Sequence, residues 1–367
     1  MSRAIEHLAH RADVHALRNA PVLVLDDPVE LARAVELRYV CDEQPGLRRR
    51  RCGQGFVYAD EHGKRITDPE LCQRFRSLVI PPGWTNVWIC PDPNGHIQVT
   101  GRDDLGRKQY IYHPRWEELR NQKKFERMIP FGHSLPGLRA HLDADLRRRY
   151  LPREKVLALV IKLLEETLIR VGNEQYTRQN GSYGLTTLCD RHIDVHGSLV
   201  HFEFRGKSGV ARAVDICDRR LARLVKECQE LPGQRLFQYL DDDSLPQSVG
   251  SSDVNAYLRE IMGAPITAKD FRTWGGTVTA LRVFHELGPC EDEKQHKRNV
   301  VAAIKYVARK LGNTPTVCRS YYVHPAVLHA YTDQSLFRVM HRATRHRPRS
   351  SYDLHVEERA LLSLLGD

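Results

Sequence analysis

Four short segments of the chain carry residue types suited to work on a phosphate. The first is Thr267-Ala268-Lys269-Asp270-Phe271-Arg272-Thr273. Thr267 with Asp270 three positions later is a variant capping box, which predicts a helix starting at Ala268. The first turn of a helix is electropositive and disfavours cations. Lys269 and Arg272 nonetheless stand there, on one side of the helix. A helix N-terminus with a lysine and an arginine describes a phosphate site, although two solvated surface cations would read the same way. The second segment, Ile169-Arg170-Val171-Gly172, ends an apolar helical stretch. With Gly172 after the cap, Arg170 either complements the helix C-terminus or aims a guanidinium at a phosphate from a rigid element. The third, Phe204-Arg205-Gly206-Lys207-Ser208-Gly209, sets Lys207 in a tight turn after a strand. There an ammonium is either solvated or brought near a phosphate or a leaving oxygen. In the fourth, Gly312-Asn313-Thr314-Pro315 leads to Tyr321-Tyr322. Gly312 stops a helix, Asn313 is placed to cap the next turn and Pro315 stands near its first position. The paired tyrosines read as core packing or as a nucleophile, and a phenol with an ordinary pKa of about 10 needs cations beside it for that role.

Other signatures are absent. There is no Walker loop and no His-Glu-x-x-His, no Gly-x-Ser-x-Gly elbow, and no carboxylate cluster suited to magnesium. Arg, Lys, Arg and Tyr on structured turns, without ATP or metal motifs, point to metal-free phosphodiester chemistry. Composition agrees. Of 367 residues, 56 are Lys or Arg and 46 Asp or Glu, a net charge of +10, which suggests a polyanionic partner without fixing a fold. Nine scattered cysteines contain no Cys-x-x-Cys pair. Zinc is therefore disfavoured, and reduced thiols of a cytoplasmic protein fit best. No window approaches a membrane span, and the first residues lack the apolar stretch of a secretion signal.

The elements that must position these residues fall into two textures. Gly55-Phe56-Val57-Tyr58, Val87 to Cys90, His96 to Thr100 and Lys108 to Tyr112 are strand-like and separated by tight turns, which predicts a small antiparallel sheet. A run of four arginines, Arg48 to Arg51, precedes it. Beyond about residue 115 helical patterns dominate: Trp116 to Met128, a buried helix over 154–171, then Val254–Met262, Ala268–Leu287, Lys297–Leu311 and a short Glu357–Leu365. A hairpin, His192 to Val195 with Leu199 to Arg205, interrupts them, and Asp241 to Pro246 reads as a loop. Residues 1–40 have mild helical periodicity, and Arg338 to Arg349 holds five arginines and no acid. The expected fold class is α+β.

Taken in order, these segments resemble the type IB DNA topoisomerases, in particular the compact poxvirus-like enzymes of bacteria. The likeness begins near Leu37 and runs through Pro45 to Arg51, Ile80-Pro81-Pro82-Gly83-Trp84 and Gly106 to Tyr112. It continues through Ile169 to Gly172, Gly206-Lys207, Lys269 to Thr273 and Gly312 to Pro315, ending near Tyr331. It implies a 1–36 extension of unknown role, a β-rich DNA-binding domain over 37–122 and a mainly α catalytic domain over 123–367, closing as a clamp on duplex DNA. The implied reaction is relaxation of supercoils through a transient 3′-phosphotyrosyl bond, strand rotation and religation, by a monomer of the cytoplasm and nucleoid, with neither ATP nor a metal.

The family's tyrosine lies ten residues after the Gly of its Gly-x-Thr-Pro motif, which selects Tyr322 over Tyr321 as nucleophile. Arg170 and Arg272 would hold the non-bridging oxygens, Asn313 would donate to one of them, and Lys207 would protonate the leaving 5′-oxygen. Poxvirus and eukaryotic members carry His where this chain has Asn313, so the role here is that of a neutral donor. Gln109, Tyr110 and Tyr112 match a DNA-contacting tract and Tyr176 a phosphate-contacting tyrosine; Lys269, beside the second arginine, is a further candidate DNA contact, and Arg107 and Lys108 are candidates to line the DNA path. The arginines of 48–51 and 338–349 are candidates to line the DNA path. Tyrosine recombinases share this chemistry, but they usually carry His-x-x-Arg where this chain has Lys269-Asp270-Phe271-Arg272, and they lack the Ile80-Pro81-Pro82 region. A catalytically silent DNA-binding relative is disfavoured because every matching catalytic position is occupied.

Overall fold

The computed structural model describes residues 27–241, 243–263 and 266–366. The chain divides into two compact units, Met1–Gln122 and Lys123–Asp367. Most of the helical periodicity expected over 1–40 lies outside the described residues. The part within them forms a helix, Pro28–Ala34, capped by the Asp27 carboxylate.

The first unit is built on a five-stranded sheet: β1 (Leu47–Cys52), β2 (Gly55–Ala59), β3 (Thr85–Ile89), β4 (Ile97–Arg102) and β5 (Lys108–Tyr112), in the order β2-β1-β3-β4-β5. Every neighbouring pair is antiparallel, as the tight turns predicted. The four-arginine run does not lead into the sheet but forms β1 itself. Strand alternation then sends Arg49 to the opposite face from its two neighbours. Its guanidinium donates to Ile80 O at 2.9 Å and to Pro81 O and Trp84 O at 2.8 Å each. Arg49 is therefore a buried tie that fixes the Ile80–Trp84 loop, and the expectation that it lines a DNA path is corrected. Arg48, Arg50 and Arg51 remain exposed.

The second unit surrounds the apolar helix Arg153–Thr167, in which all but five of fifteen residues are buried. This helix is shorter than expected. Leu168 ends it in the left-handed conformation with φ 55°, so Arg170 lies in a loop beyond the helix and Gly172 is not its cap. The expected hairpin is present as β6 (Ile193–His196) and β7 (Leu199–Arg205), but a third strand, β8 (Ala211–Cys217), pairs with β7. Two short strands, Gln238–Leu240 and Pro246–Ser248, flank the expected 241–246 loop. The helix Ala268–Leu287 starts where its capping box placed it, with Asp270 accepting from Thr267 N at 2.8 Å. The Glu293–Leu311 helix ends at Gly312, φ 61°. The basic stretch begins as a helix, Ser335–Thr344, with its arginines exposed. All nine cysteines are free, and no described helix is long and apolar enough to cross a membrane.

Candidate active site

The last carbonyls of a helix have no partner within it and carry the negative end of its dipole. At the end of the Glu293–Leu311 helix those oxygens collect three arginines from elsewhere in the larger unit. Arg212, on β8, donates to Arg309 O at 2.8 Å and Lys310 O at 2.7 Å. Arg272 donates to Leu311 O at 2.9 Å and, through its other terminal nitrogen, to Leu168 O. Arg170 lies 3.5 Å from Gly312 O and donates to Asn313 Oδ1. No carboxylate pairs with any of the three among the described residues. Arg272 is only 4% exposed, so it is not one of two solvated cations, whereas Lys269 is exposed.

Gly312 and Asn313 close this helix with a Schellman motif: Asn313 N donates to Ala308 O at 2.9 Å and Gly312 N to Arg309 O at 3.1 Å. The next helix, Pro315–Tyr321, is capped by Thr314 and not by Asn313 as expected. Pro315 at its first position is the signal that singles out Thr314. The Asn313 side chain is thereby left for the site. Its Oδ1 takes Arg170, while its Nδ2 is buried with no hydrogen-bond partner among the described residues, as is Arg272 Nε.

Tyr322 follows that helix. The Arg272 guanidinium stands 5.3 Å from the centre of its ring. Burial raises the phenol pKa, but Arg272 and Arg170 outweigh it, and Tyr322 titrates below the ordinary tyrosine value. Arg170, Arg212 and Arg272 are all depressed, first by burial; Arg170 further lowers both of the others. Three like charges are thus held close, Arg272 buried and the other two half-buried, a repulsion that an anion would relieve. Tyr321, by contrast, is exposed. Lys207 is exposed on the turn joining β7 to β8, where Ser208 (φ 63°) and Gly209 (φ 73°) take left-handed conformations. It lines the same small pocket as Arg170, Arg212 and Arg272.

The structure thus brings together Arg170, Lys207, Arg272, Asn313 and Tyr322. Tyr176 is exposed on the Glu174–Asn180 helix. The remaining expected DNA contacts form a separate group on the β4–β5 hairpin. There Asp103 accepts from Arg107 Nε and Gln109 Nε2, both at 2.8 Å, and Lys108 bonds Asp42 at 2.9 Å. Tyr110 is exposed and stacked on Tyr112, with centroids 5.7 Å apart. Sequence reasoning missed Arg212 and Asp103. Arg212 lies on a strand whose apolar alternation is weak, and Asp103 read only as a turn residue.

Comparison with known proteins assigns both units. Residues 113–345 match the model of the eukaryotic DNA topoisomerase I catalytic core, and residues 55–103 that of the bacterial DNA topoisomerase IB N-terminal domain. The chain is 32% identical over 305 residues to DNA topoisomerase 1B of Acanthamoeba polyphaga mimivirus, covering 81% of this chain and 90% of the relative. It is 22% identical over 253 residues to DNA topoisomerase 1B of vaccinia virus, covering 66% and 75%. It is 24% identical over 301 residues to DNA topoisomerase 1 of rabbit fibroma virus, covering 77% and 88%.

Proposed function

The chain belongs to the type IB DNA topoisomerase family and is an isomerase acting on DNA, and from that premise we propose how its own residues carry out the reaction. Tyr322 attacks a backbone phosphate of one strand. The bond from its Oη to phosphorus forms as the bond to the 5′-oxygen breaks. The phenolic proton leaves to solvent, and Lys207 gives a proton to the departing oxygen. Negative charge gathers on the non-bridging oxygens, and Arg170, Arg272 and Asn313 stabilise it there. Preorganised donors of this kind supply most of the acceleration in such reactions. The freed strand rotates, and the 5′-hydroxyl then attacks the phosphotyrosine in reverse. The covalent bond conserves the energy of the broken linkage, so resealing needs no ATP, and the charge stabilisation a metal ion could supply is assigned here to the arginines. The smaller unit serves as one jaw of a clamp on duplex DNA, with Tyr110, Tyr112 and the side chains beside them as contacts.

One observation carries this reading. Two buried donors, Asn313 Nδ2 and Arg272 Nε, lack a partner among the described residues in the region where Tyr322 meets Arg272. Most buried donors in native proteins are paired, and a catalytic role is one of the few reasons for leaving one open. The test is relaxation of positively and of negatively supercoiled plasmid in EDTA without nucleotide. A ladder of topoisomers supports the reading, and exchange confined to particular sites would contradict it.

A further inference from the structure

A phenol at the end of a seven-residue helix, Pro315–Tyr321, sits where helices fray. A reactive atom must nonetheless be held to within about 0.5 Å. Three contacts address the main chain around it, from Tyr321 to His324. Lys124 Nζ donates to Tyr321 O at 2.6 Å. Thr277 Oγ1, whose single proton is shared between Thr273 O at 2.9 Å and Tyr322 O at 3.1 Å, accepts from His324 N at 3.1 Å. Gly276, one residue before Thr277, lets that peptide approach, since a Cβ there would stand 2.8 Å from Tyr322 O.

We propose that Lys124, with Thr277 and Gly276 on the Ala268–Leu287 helix, positions the nucleophile by clasping the peptide carbonyls of Tyr321 and Tyr322. This rests on Tyr322 being the nucleophile. Lys124 is suited to the task because it is buried at 8% exposure. Its ammonium lies 4.2 Å from the Phe125 ring centre and 5.3 Å from that of Tyr321. A charged donor also makes a stronger bond to a carbonyl than a neutral one. Burial, with Lys269 close by, brings its pKa down to about 8, so it is a cation at neutral pH. Lys124 is a positioning residue, acting on the reaction only through the tyrosine.

The test uses the full-length enzyme in single-turnover cleavage of a duplex whose cleaved 5′ strand dissociates. Lys124→Met lowers the rate at saturating DNA by about 10- to 100-fold, the scale of a misplacement near 1 Å. The DNA concentration for half-saturation stays within about twofold, since only a step after binding is disturbed. Lys124→Arg, which keeps a charged donor, recovers most of the rate. A sulfur in place of the bridging 5′-oxygen restores Lys207→Ala, because it leaves without a proton, but does not restore Lys124→Met. Gly276→Ala gives the same loss of rate with binding kept, and decides the matter should Lys124→Met fail to fold. A wild-type rate in Lys124→Met, or in Gly276→Ala should Lys124→Met fail to fold, or rescue of Lys124→Met by the sulfur substrate, overturns the proposal. Tyr322→Phe runs alongside: cleavage by that variant would defeat the nucleophile assignment itself, and its inactivity beside a fully active Lys124→Met would defeat the clasp alone.

Discussion

In the smaller unit the cations of the β4–β5 hairpin are held by carboxylates, Lys108 by Asp42 and Arg107 by Asp103. In the larger unit Arg170, Arg212 and Arg272 are held by peptide oxygens and one carboxamide. Both arrangements fix a side chain, but they leave different fields. A carboxylate neutralises its partner, so Lys108 is stabilised as a cation while Asp103 is pulled down to about 2, first by its hydrogen bond from Arg107. A carbonyl orients a guanidinium and leaves its charge intact. The depressed pKa values of the three arginines record the cost of that choice. Arg107 and Lys108 are partly exposed although their acids are largely covered, so each can turn from its acid to a phosphate, which suits reversible contact along DNA. An unneutralised cluster is stabilised only when an anion arrives, which suits selective binding of a pentavalent transition state.

The largest expected effect comes from breaking the carbonyl-held cluster. Arg272→Ala removes a donor and a charge beside Tyr322, and its cleavage rate should fall by at least about 10²–10³-fold in single turnover. Asn313 allows a sharper test. Asn313→Ala removes one donor and should cost about 10²-fold. Asn313→Asp instead gives Arg170 a carboxylate, imposing the hairpin's mode of holding on the active site. It should cleave more slowly than Asn313→Ala while melting at a temperature no lower. If Asp proves the better catalyst, the contrast drawn between the two modes is wrong.

A smaller effect concerns pH. His324 Nδ1 accepts from Ala326 N at 3.0 Å and caps the Pro325–Thr332 helix. Burial, with Lys124 adding, pushes its pKa down to about 4. The folded protein then keeps this imidazole neutral while the unfolded chain takes up a proton near pH 6.5. Its contribution is complete above that value and is lost as pH falls toward 4, on the order of 3 kcal/mol at most. Denaturant unfolding between pH 4 and 7 should show a flatter slope for His324→Gln than for the wild type. The smallest effect is expected from Asp103→Asn, which frees Arg107. Duplex affinity should rise a few-fold, and log affinity against log salt should steepen by about one unit for the added phosphate contact.

The sequence made some of this legible and hid the rest for physical reasons. The Thr267–Asp270 box and Gly312 act through local backbone chemistry, so the Ala268–Leu287 helix and the end of the Glu293–Leu311 helix could be read directly. The strands around tight turns were equally plain. β8 was hidden because five of its seven residues alternate between exposed and half-buried, with Ile216 alone buried. Arg49 looked like one of four equivalent arginines, because only tertiary packing brings the Ile80–Trp84 carbonyls to it. Arg212 and Lys124 were invisible for the same reason: each binds main-chain oxygens far away in sequence, and a carbonyl acceptor leaves no mark in the sequence. The residues proposed for chemistry were legible by type, whereas the residues that hold them were not.

The central claim is that Tyr322 becomes linked to a 3′-phosphate. Wild-type protein should be denatured while acting on a duplex, digested with protease and nuclease, and its nucleotide-bearing peptide sequenced by mass spectrometry. The account predicts one adduct, on Tyr322, joined to the 3′ end of the nicked strand and absent from Tyr322→Phe. An adduct on Tyr321 or another residue, a link to the 5′ end, or an adduct persisting in Tyr322→Phe would contradict it.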